Sequence, residues 1–108
     1  MHGADAMSKQ LIGERAMLYS DKGSDERRPF HIRIFAPHAV EQEAVNFQVS
    51  PGTARCVVAF VEINEEVDFY GMDSMQAIAL TANIDKYLKH FDRKYDFFWL
   101  TGEPYFED

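Results

Sequence analysis

The segment GMDSMQAIAL, residues 71–80, holds the side chains that most resemble a binding site. A helix N-terminus presents free N–H groups and partial positive charge, so Gly71, Asp73 and Ser74 suggest a pocket for an anion. The same residues also describe a helix cap, in which Asp73 is the N-cap and Gln76 at N3 reaches back toward it. The Asp73 carboxylate occupies the free donors and repels a second anion, and no phosphate-binding lysine or glycine-rich loop lies nearby. We therefore predict a cap and not a ligand site.

The four histidines do not form a metal-binding pattern. They are scattered along the chain as His2, His31, His38 and His90, and no two share a helix face or neighbouring positions of a strand face. A zinc site requires three or four Cys, His or carboxylate ligands brought together, so we predict no metal and no other cofactor. His31 and Arg33 fall on the solvent side of one predicted strand, where they form either a small polar site or an ordinary solvated face.

Two side chains that serve elsewhere as nucleophiles lack the setting they need. Cys56 lies within the apolar run CVVAFV, which favours a buried thiol over a reactive thiolate. Ser74 lacks the Gly-x-Ser-x-Gly turn that exposes a catalytic serine, and its position is that of a first helical residue. We therefore predict no catalytic residue. A single cysteine forms no internal disulfide, which is typical of a cytoplasmic protein.

Aromatic side chains are concentrated near the end of the chain. The candidate interaction residues are Tyr95, Phe97, Phe98, Trp99, Tyr105 and Phe106. Within YDFFWL, strand alternation divides the aromatics between two faces, so one buried face does not hold them all. Two interpretations follow. Either the tail folds back and closes the core, or large aromatics surrounded by carboxylates form a surface that binds a partner.

The formal net charge of −7 is confined to the second half of the chain. Residues 1–61 carry seven acidic and seven basic side chains, whereas residues 62–108 carry eleven acidic and four basic ones. Phosphate backbones bind clustered Lys and Arg, so this balance disfavours nucleic acid as a direct ligand. It is compatible with a basic partner, and equally with charge that only maintains solubility.

Alternating apolar and polar positions predict a mainly antiparallel sheet of five or six strands. The predicted strands are residues 11–19, 30–36, 44–49, 55–63, 67–71 and 95–100. Residues 55–63 are apolar on both faces, which is typical of a central strand. Pro51 and Gly52 occupy the positions that they favour in a type II turn, so residues 44–49 and 55–63 should form a hairpin.

One amphipathic helix is predicted from about Ser74 to Arg93. Apolar residues recur at helical spacing as Ala77, Leu80, Ile84, Tyr87, Leu88 and Phe91. Together with the strands, this helix predicts an α+β fold, in which one long helix packs on one face of the sheet. The length of 108 residues corresponds to a single domain, 1–108, with residues 1–9 as a flexible N-terminal extension.

The segments GMDSMQAIAL, DKYL and FFWL together resemble a family of small bacterial domains of unknown function. In that family a helix opens with Gly-x-Asp-Ser or Ala-x-Gln-Ala-Leu and is followed by a Trp-Leu strand. The upstream RCVVAFVEI resembles the cysteine-containing strand of the same family. The resemblance covers about residues 54–102, and it implies no known activity, substrate or cofactor.

Two classes of function remain open at this point. We favour a noncatalytic protein-binding or regulatory protein, of the immunity or antitoxin kind, that binds a basic partner or a second copy of itself. The alternative is a small-molecule or enzymatic site between sheet and helix, around His31, Arg33 or Ser74. The N-terminal MHGADAMSKQ lacks an apolar signal region, and no stretch approaches the roughly 18 apolar residues of a membrane span. We therefore expect a cytoplasmic protein that does not bind membranes.

Overall fold

The computed structural model describes residues 10–106, which form an antiparallel sheet and one helical segment. The strands are β1 (Leu11–Asp21), β2 (Arg28–Phe35), β3 (His38–Ala39), β4 (Ala54–Phe60), β5 (Glu65–Gly71) and β6 (Tyr95–Phe98). The helical segment consists of α1 (Ser74–Leu80), a 3-10 turn (Thr81–Asn83) and α2 (Ile84–Lys89). The predicted α+β fold is confirmed. The predicted N-terminal extension, residues 1–9, lies outside the described residues.

The strands follow a simple antiparallel order from one edge of the sheet to the other. β5 pairs with β4, β4 pairs with β2 and with the short β3, β2 pairs with β1, and β1 pairs with β6. Since β5 and β6 lie at opposite edges, the helical segment between them carries the chain across one face of the sheet. That crossing brings the end of the chain back to β1.

The core lies between this face of the sheet and the helix. Its fully buried side chains include Phe30, Phe60, Met17, Leu88, Val58 and Cys56. Ala77, Ile84 and Leu88 supply the buried stripe of the helix, as its apolar spacing predicts. Within residues 10–106 no helix is long and apolar enough to span a membrane.

The predicted strand at residues 44–49 is wrong. This part of the chain forms a 3-10 turn at Gln42–Ala44 and then an irregular loop. Gln42 Nε2 donates a hydrogen bond to Phe47 O at 2.8 Å, and Gln42 Oε1 accepts one from Val49 N–H at 3.0 Å. A side chain thus satisfies backbone groups that a neighbouring strand would otherwise pair, so alternation alone misidentified the segment. The arms of the predicted hairpin are β3 and β4 instead.

The predicted turn at residues 50–53 is present, whereas the ends of several elements differ from the sequence-based boundaries by one to four residues. Thr53 N–H donates to Ser50 O at 3.1 Å, and Gly52 has the positive φ of 93° that the third position of a type II turn requires. β4 ends at Phe60, before a 3-10 turn at Val61–Ile63, and does not reach residue 63. The helix ends at Lys89 rather than Arg93, and the residues beyond it form tight turns.

The start of the helix is fixed by two side chains and one close approach. Asp73 Oδ1 accepts from Gln76 N–H at 2.8 Å, and Gln76 Oε1 accepts from Met72 N–H at 2.6 Å. Asp73 is therefore the N-cap, and Gln76 completes the cap one residue earlier than the usual capping box. A Cβ on Gly71 would lie 2.4 Å from Ala77 N. Only glycine lets the first helical turn lie directly against the end of β5.

We expect Gly71→Ala to destabilise the protein by about 1–3 kcal/mol or more, because the added methyl group overlaps backbone atoms that cannot rotate away. The midpoint of urea denaturation measures the loss. Gly13→Ala is the matched control, since a Cβ there meets Ile34 only at 3.8 Å, an ordinary contact. Equal stability of the two variants would contradict the close approach at Gly71.

We expect Asp73→Ala to cost about 0.5–2 kcal/mol of unfolding free energy, because Gln76 N–H loses its acceptor. Asp73→Asn keeps a capping oxygen and should recover most of that stability. Urea melts of the three proteins at neutral pH distinguish these outcomes. A melt of Asp73→Ala that overlays the wild-type melt would mean that the cap does not stabilise the helix.

Candidate functional site

The end of the chain forms a hairpin with β6, which we call the C-terminal hairpin, residues 95–106. Trp99 N–H donates to Glu103 O at 2.8 Å, and Tyr105 N–H donates to Phe97 O at 2.9 Å. The turn between the arms is closed by Gly102, whose N–H donates to Trp99 O and whose φ is 95°. The returning arm therefore covers the outer edge of β6. Residues 99–102 form the tip of the hairpin.

The six candidate aromatics have different environments. Phe97 and Tyr105 belong to the buried core, and Tyr95 and Phe106 are partly buried against it. The Arg27 guanidinium covers Phe98, with its central carbon 3.7 Å from the centroid of the Phe98 ring. Trp99 remains 41% exposed. Four of the six side chains thus pack onto the core, as the core-closing interpretation expects, and Trp99 alone is more than one-third exposed.

Trp99 is exposed and yet held in place. Its ring centroid lies 4.5 Å from that of Tyr105, and the Arg15 guanidinium lies 5.6 Å from the Trp99 ring. Leu100, the next residue, is 63% exposed. The tip of the hairpin therefore presents a large apolar pair whose aromatic member is already ordered. Neither Leu100 nor Arg15 is among the predicted interaction residues, because nothing in their local spacing marks them.

Three polar side chains join the tail to the rest of the fold. The Tyr105 hydroxyl accepts a hydrogen bond from Arg15 Nη1 and donates one to Asp85 Oδ1 at 2.5 Å. Arg15 comes from β1 and Asp85 from α2, and their charged groups are 3.9 Å apart. Burial, followed by the hydrogen bond to Asp85, raises the pKa of Tyr105 to about 12. The hydroxyl therefore stays neutral and keeps both hydrogen bonds over the physiological range.

A cleft of about 380 Å³ opens beside these side chains, between the sheet and the helix. Its lining is mostly apolar and comprises Ile32, Ile34, Ile78, Ala79, Ala82 and Ile84, with Glu14, Arg15, Thr81 and Asp85 as polar members. Arg15 and Asp85 thus belong both to the Tyr105 cluster and to the cleft. The cleft has the size and the mixed lining of a small-molecule site.

The residues predicted to surround a site between sheet and helix do not meet there. Phe30 and Ile32 face the helix, so His31 and Arg33 project from the opposite face of the sheet. His31 Nδ1 lies 2.6 Å from Glu62 Oε2, and Arg33 Nε donates to Glu14 Oε2 at 2.6 Å. Placing the alternative site around His31 and Arg33 was therefore wrong. His31 and Arg33 contact two different carboxylates, and neither residue lines the cleft.

The two side chains considered as nucleophiles, Ser74 and Cys56, occupy positions that belong to the helix start and to the core. Ser74 is the first residue of α1, directly after the cap. Cys56 is fully buried, its Sγ donates to Phe35 O at 3.2 Å, and burial raises the pKa of its thiol, which disfavours a reactive thiolate. Within the described part of the chain, no group of three or more His, Cys, Asp or Glu side chains could hold a metal ion.

Comparisons with protein families, with curated proteins and with solved structures each find no match. The resemblance to a family of small bacterial domains therefore stays an expectation from sequence.

We expect the raised pKa of Tyr105 to make stability depend on alkaline pH. A group whose pKa is higher in the folded state contributes fully below the unfolded value of about 10, and the contribution is lost as pH rises toward about 12. Between these two pH values, the free energy of unfolding measured in urea melts should fall less steeply in Tyr105→Phe than in the wild type. The variant has no hydroxyl at this position to ionise. Tyrosinate absorbance should lose a step near pH 12 in the variant. Identical pH profiles would contradict this assignment.

Proposed function

We propose that this protein is a noncatalytic protein-binding domain that contacts its partner through Trp99 and Leu100 at the tip of the C-terminal hairpin. The observation that carries the proposal is that Trp99 is 41% exposed while Arg15 and Tyr105 hold its ring. Binding interfaces concentrate their free energy in such aromatic anchors. An anchor that is ordered before binding loses less conformational entropy when the complex forms.

The surroundings of Trp99 support a protein partner. A shallow hollow of about 460 Å³ adjoins the tip of the hairpin, lined by Ala16, Trp99, Leu100, Thr101 and Glu103. A partner side chain can fill it while Trp99 and Leu100 pack against the partner's surface. Trp99 and Leu100 form an apolar centre, and Glu103 places a charge at its margin. This combination is characteristic of protein interfaces.

The charge of the chain supports a basic partner. The acidic excess lies in residues 62–108, which include the hairpin, and a field of this sign speeds association with a basic protein. As a regulatory protein, it would hold a basic partner in a complex, as immunity proteins and antitoxins do. Self-association through the same tip is the alternative outcome that the experiment separates.

We expect the double variant Trp99→Ala/Leu100→Ala to reduce recovery of a bound partner by about 30-fold, the loss typical of an interface hot spot. Tagged full-length protein, incubated with extract of its own organism, provides the measurement, with bound proteins quantified by mass spectrometry. Sedimentation velocity of the purified protein reports self-association. Met75→Ala is the control, because Met75 is 80% exposed on the helix, away from the hairpin.

Two results would contradict the proposal. One is equal recovery of partners by wild type and double variant, which would remove the tip of the hairpin from the interface. The other is a protein that stays monomeric and captures nothing at any ionic strength. A partner whose recovery depends on Trp99 and Leu100 but not on Met75 supports the proposal.

The cleft beside Arg15 supports a second candidate function, the binding of a small molecule. Its volume of about 380 Å³ and its isoleucine-rich lining suit an apolar ligand with one polar end. Arg15 or Asp85 at the margin would pair with that end. Ligand-induced shifts at Ile34 and Ile84 in an NMR screen, unaffected by Leu100→Ala, would favour this function over protein binding at the hairpin.

A further inference from the structure

The two edges of the sheet are finished differently. At β6, the backbone N–H groups of Trp99 and Tyr105 bond across the C-terminal hairpin, so the returning arm occupies that edge. At β5, β4 lies on one side, and within residues 10–106 no strand lies on the other. Backbone donors and acceptors along the outer side of β5 are therefore placed to pair with an added strand.

β5 has none of the backbone features that usually protect an edge strand. Its register with β4 continues without a bulge from Ala54 opposite Gly71 to Phe60 opposite Glu65. Its seven residues, EEVDFYG, contain no proline and no lysine. Proteins commonly shorten, bend or interrupt their edges to prevent pairing with other chains. The charges of β5 influence which strand it can accept.

Those charges are all negative. No Lys or Arg occurs anywhere in residues 56–85. Glu65, Glu66 and Asp68 are exposed, and within the described part of the chain neither glutamate makes an ion pair. Asp68 lies 3.9 Å from Arg55, a loose surface contact. Because side chains alternate along a strand, Glu66 and Asp68 project to one face of the sheet and Glu65 to the other.

Charge selects among the strands that could be added. A second copy of β5 would place like residues, including the carboxylates, side by side in parallel pairing, and in full-length antiparallel pairing it would place Asp68 opposite Asp68; like charges at cross-strand positions are destabilising. Lysine or arginine at alternate positions would instead lie opposite Glu65, Glu66 or Asp68 and form favourable cross-strand pairs. The open edge therefore fits an extended basic segment and disfavours a copy of itself.

We propose that β5 binds an extended segment of a partner protein, rich in Lys or Arg, which joins the sheet as an additional strand. The proposal rests on the protein-binding function proposed above, and it places a second contact at the edge of the sheet opposite the hairpin. Backbone hydrogen bonds supply affinity along β5. The carboxylates on both faces supply the preference for a basic sequence.

The experiment uses the full-length protein and a capped peptide of alternating lysine and valine as the probe. We expect the peptide to shift the amide signals of β5 in NMR spectra and to slow hydrogen exchange of its outward amides. Glu66→Gln/Asp68→Asn should weaken peptide binding by about 2- to 30-fold, because the two carboxylates share one face of β5 and the variant loses two cross-strand charge pairs with the lysines. Asp25→Asn/Glu26→Gln removes the same charge from the β1–β2 loop, where both side chains are exposed, and should leave the affinity unchanged.

A peptide of identical sequence, N-methylated at every residue, keeps its charge but cannot pair as a strand, and we expect it not to bind. Binding of this peptide with equal affinity, or unprotected β5 amides in the complex with the unmethylated peptide, would overturn strand addition. Trp99→Ala should leave peptide binding intact. Failure of the hairpin experiment and failure of the β5 experiment are therefore distinguishable.

Discussion

The contact between Gly71 and the backbone of Ala77 determines much of the rest of the fold. Because no side chain separates the end of β5 from the first helical turn, the helix can begin immediately and lie flat on the sheet. The cap from Asp73 fixes its starting direction. From there the helix crosses from the β5 edge to the β1 edge, where β6 completes the sheet. The tail then covers the free side of β1.

The crossing also explains why chemical groups gather near Tyr105. This side chain ends up between β1 and α2, so its hydroxyl meets an arginine from the first strand and an aspartate from the helix. The surface pair of Arg15 and Asp85 adds little stability by itself, since exposed ion pairs are screened by water. Its structural effect is to orient Tyr105, which in turn supports Trp99. An exposed tryptophan is thereby held by a chain of contacts that begins in the core.

Local signals in the sequence predicted the elements that local physics determines. Alternation identified β2, an unbroken apolar run identified β4, and the Asp-x-x-Gln pattern located the helix start within one residue. Alternation failed at residues 44–49 because the Gln42 side chain satisfies backbone groups in a loop, and side-chain periodicity does not reveal that. The aromatics of the hairpin were singled out by their density in the sequence, but the contact between Arg15 and Tyr105 could not be predicted, because they are 90 positions apart and neither has a local pattern that points to the other.

The position of β6 next to β1 constrains the order in which the chain can complete its fold. β1 and β2 are close together in sequence, and so are β4 and β5. Both strand pairs can therefore form while later residues are still being synthesised. β1, however, receives its second neighbour only after residues 95–98 have left the ribosome. Until then its free side, with Met17 and Tyr19 beside it, stays open to other chains. Of the described strands, β1 is synthesised first and is therefore one of the last to be fully paired.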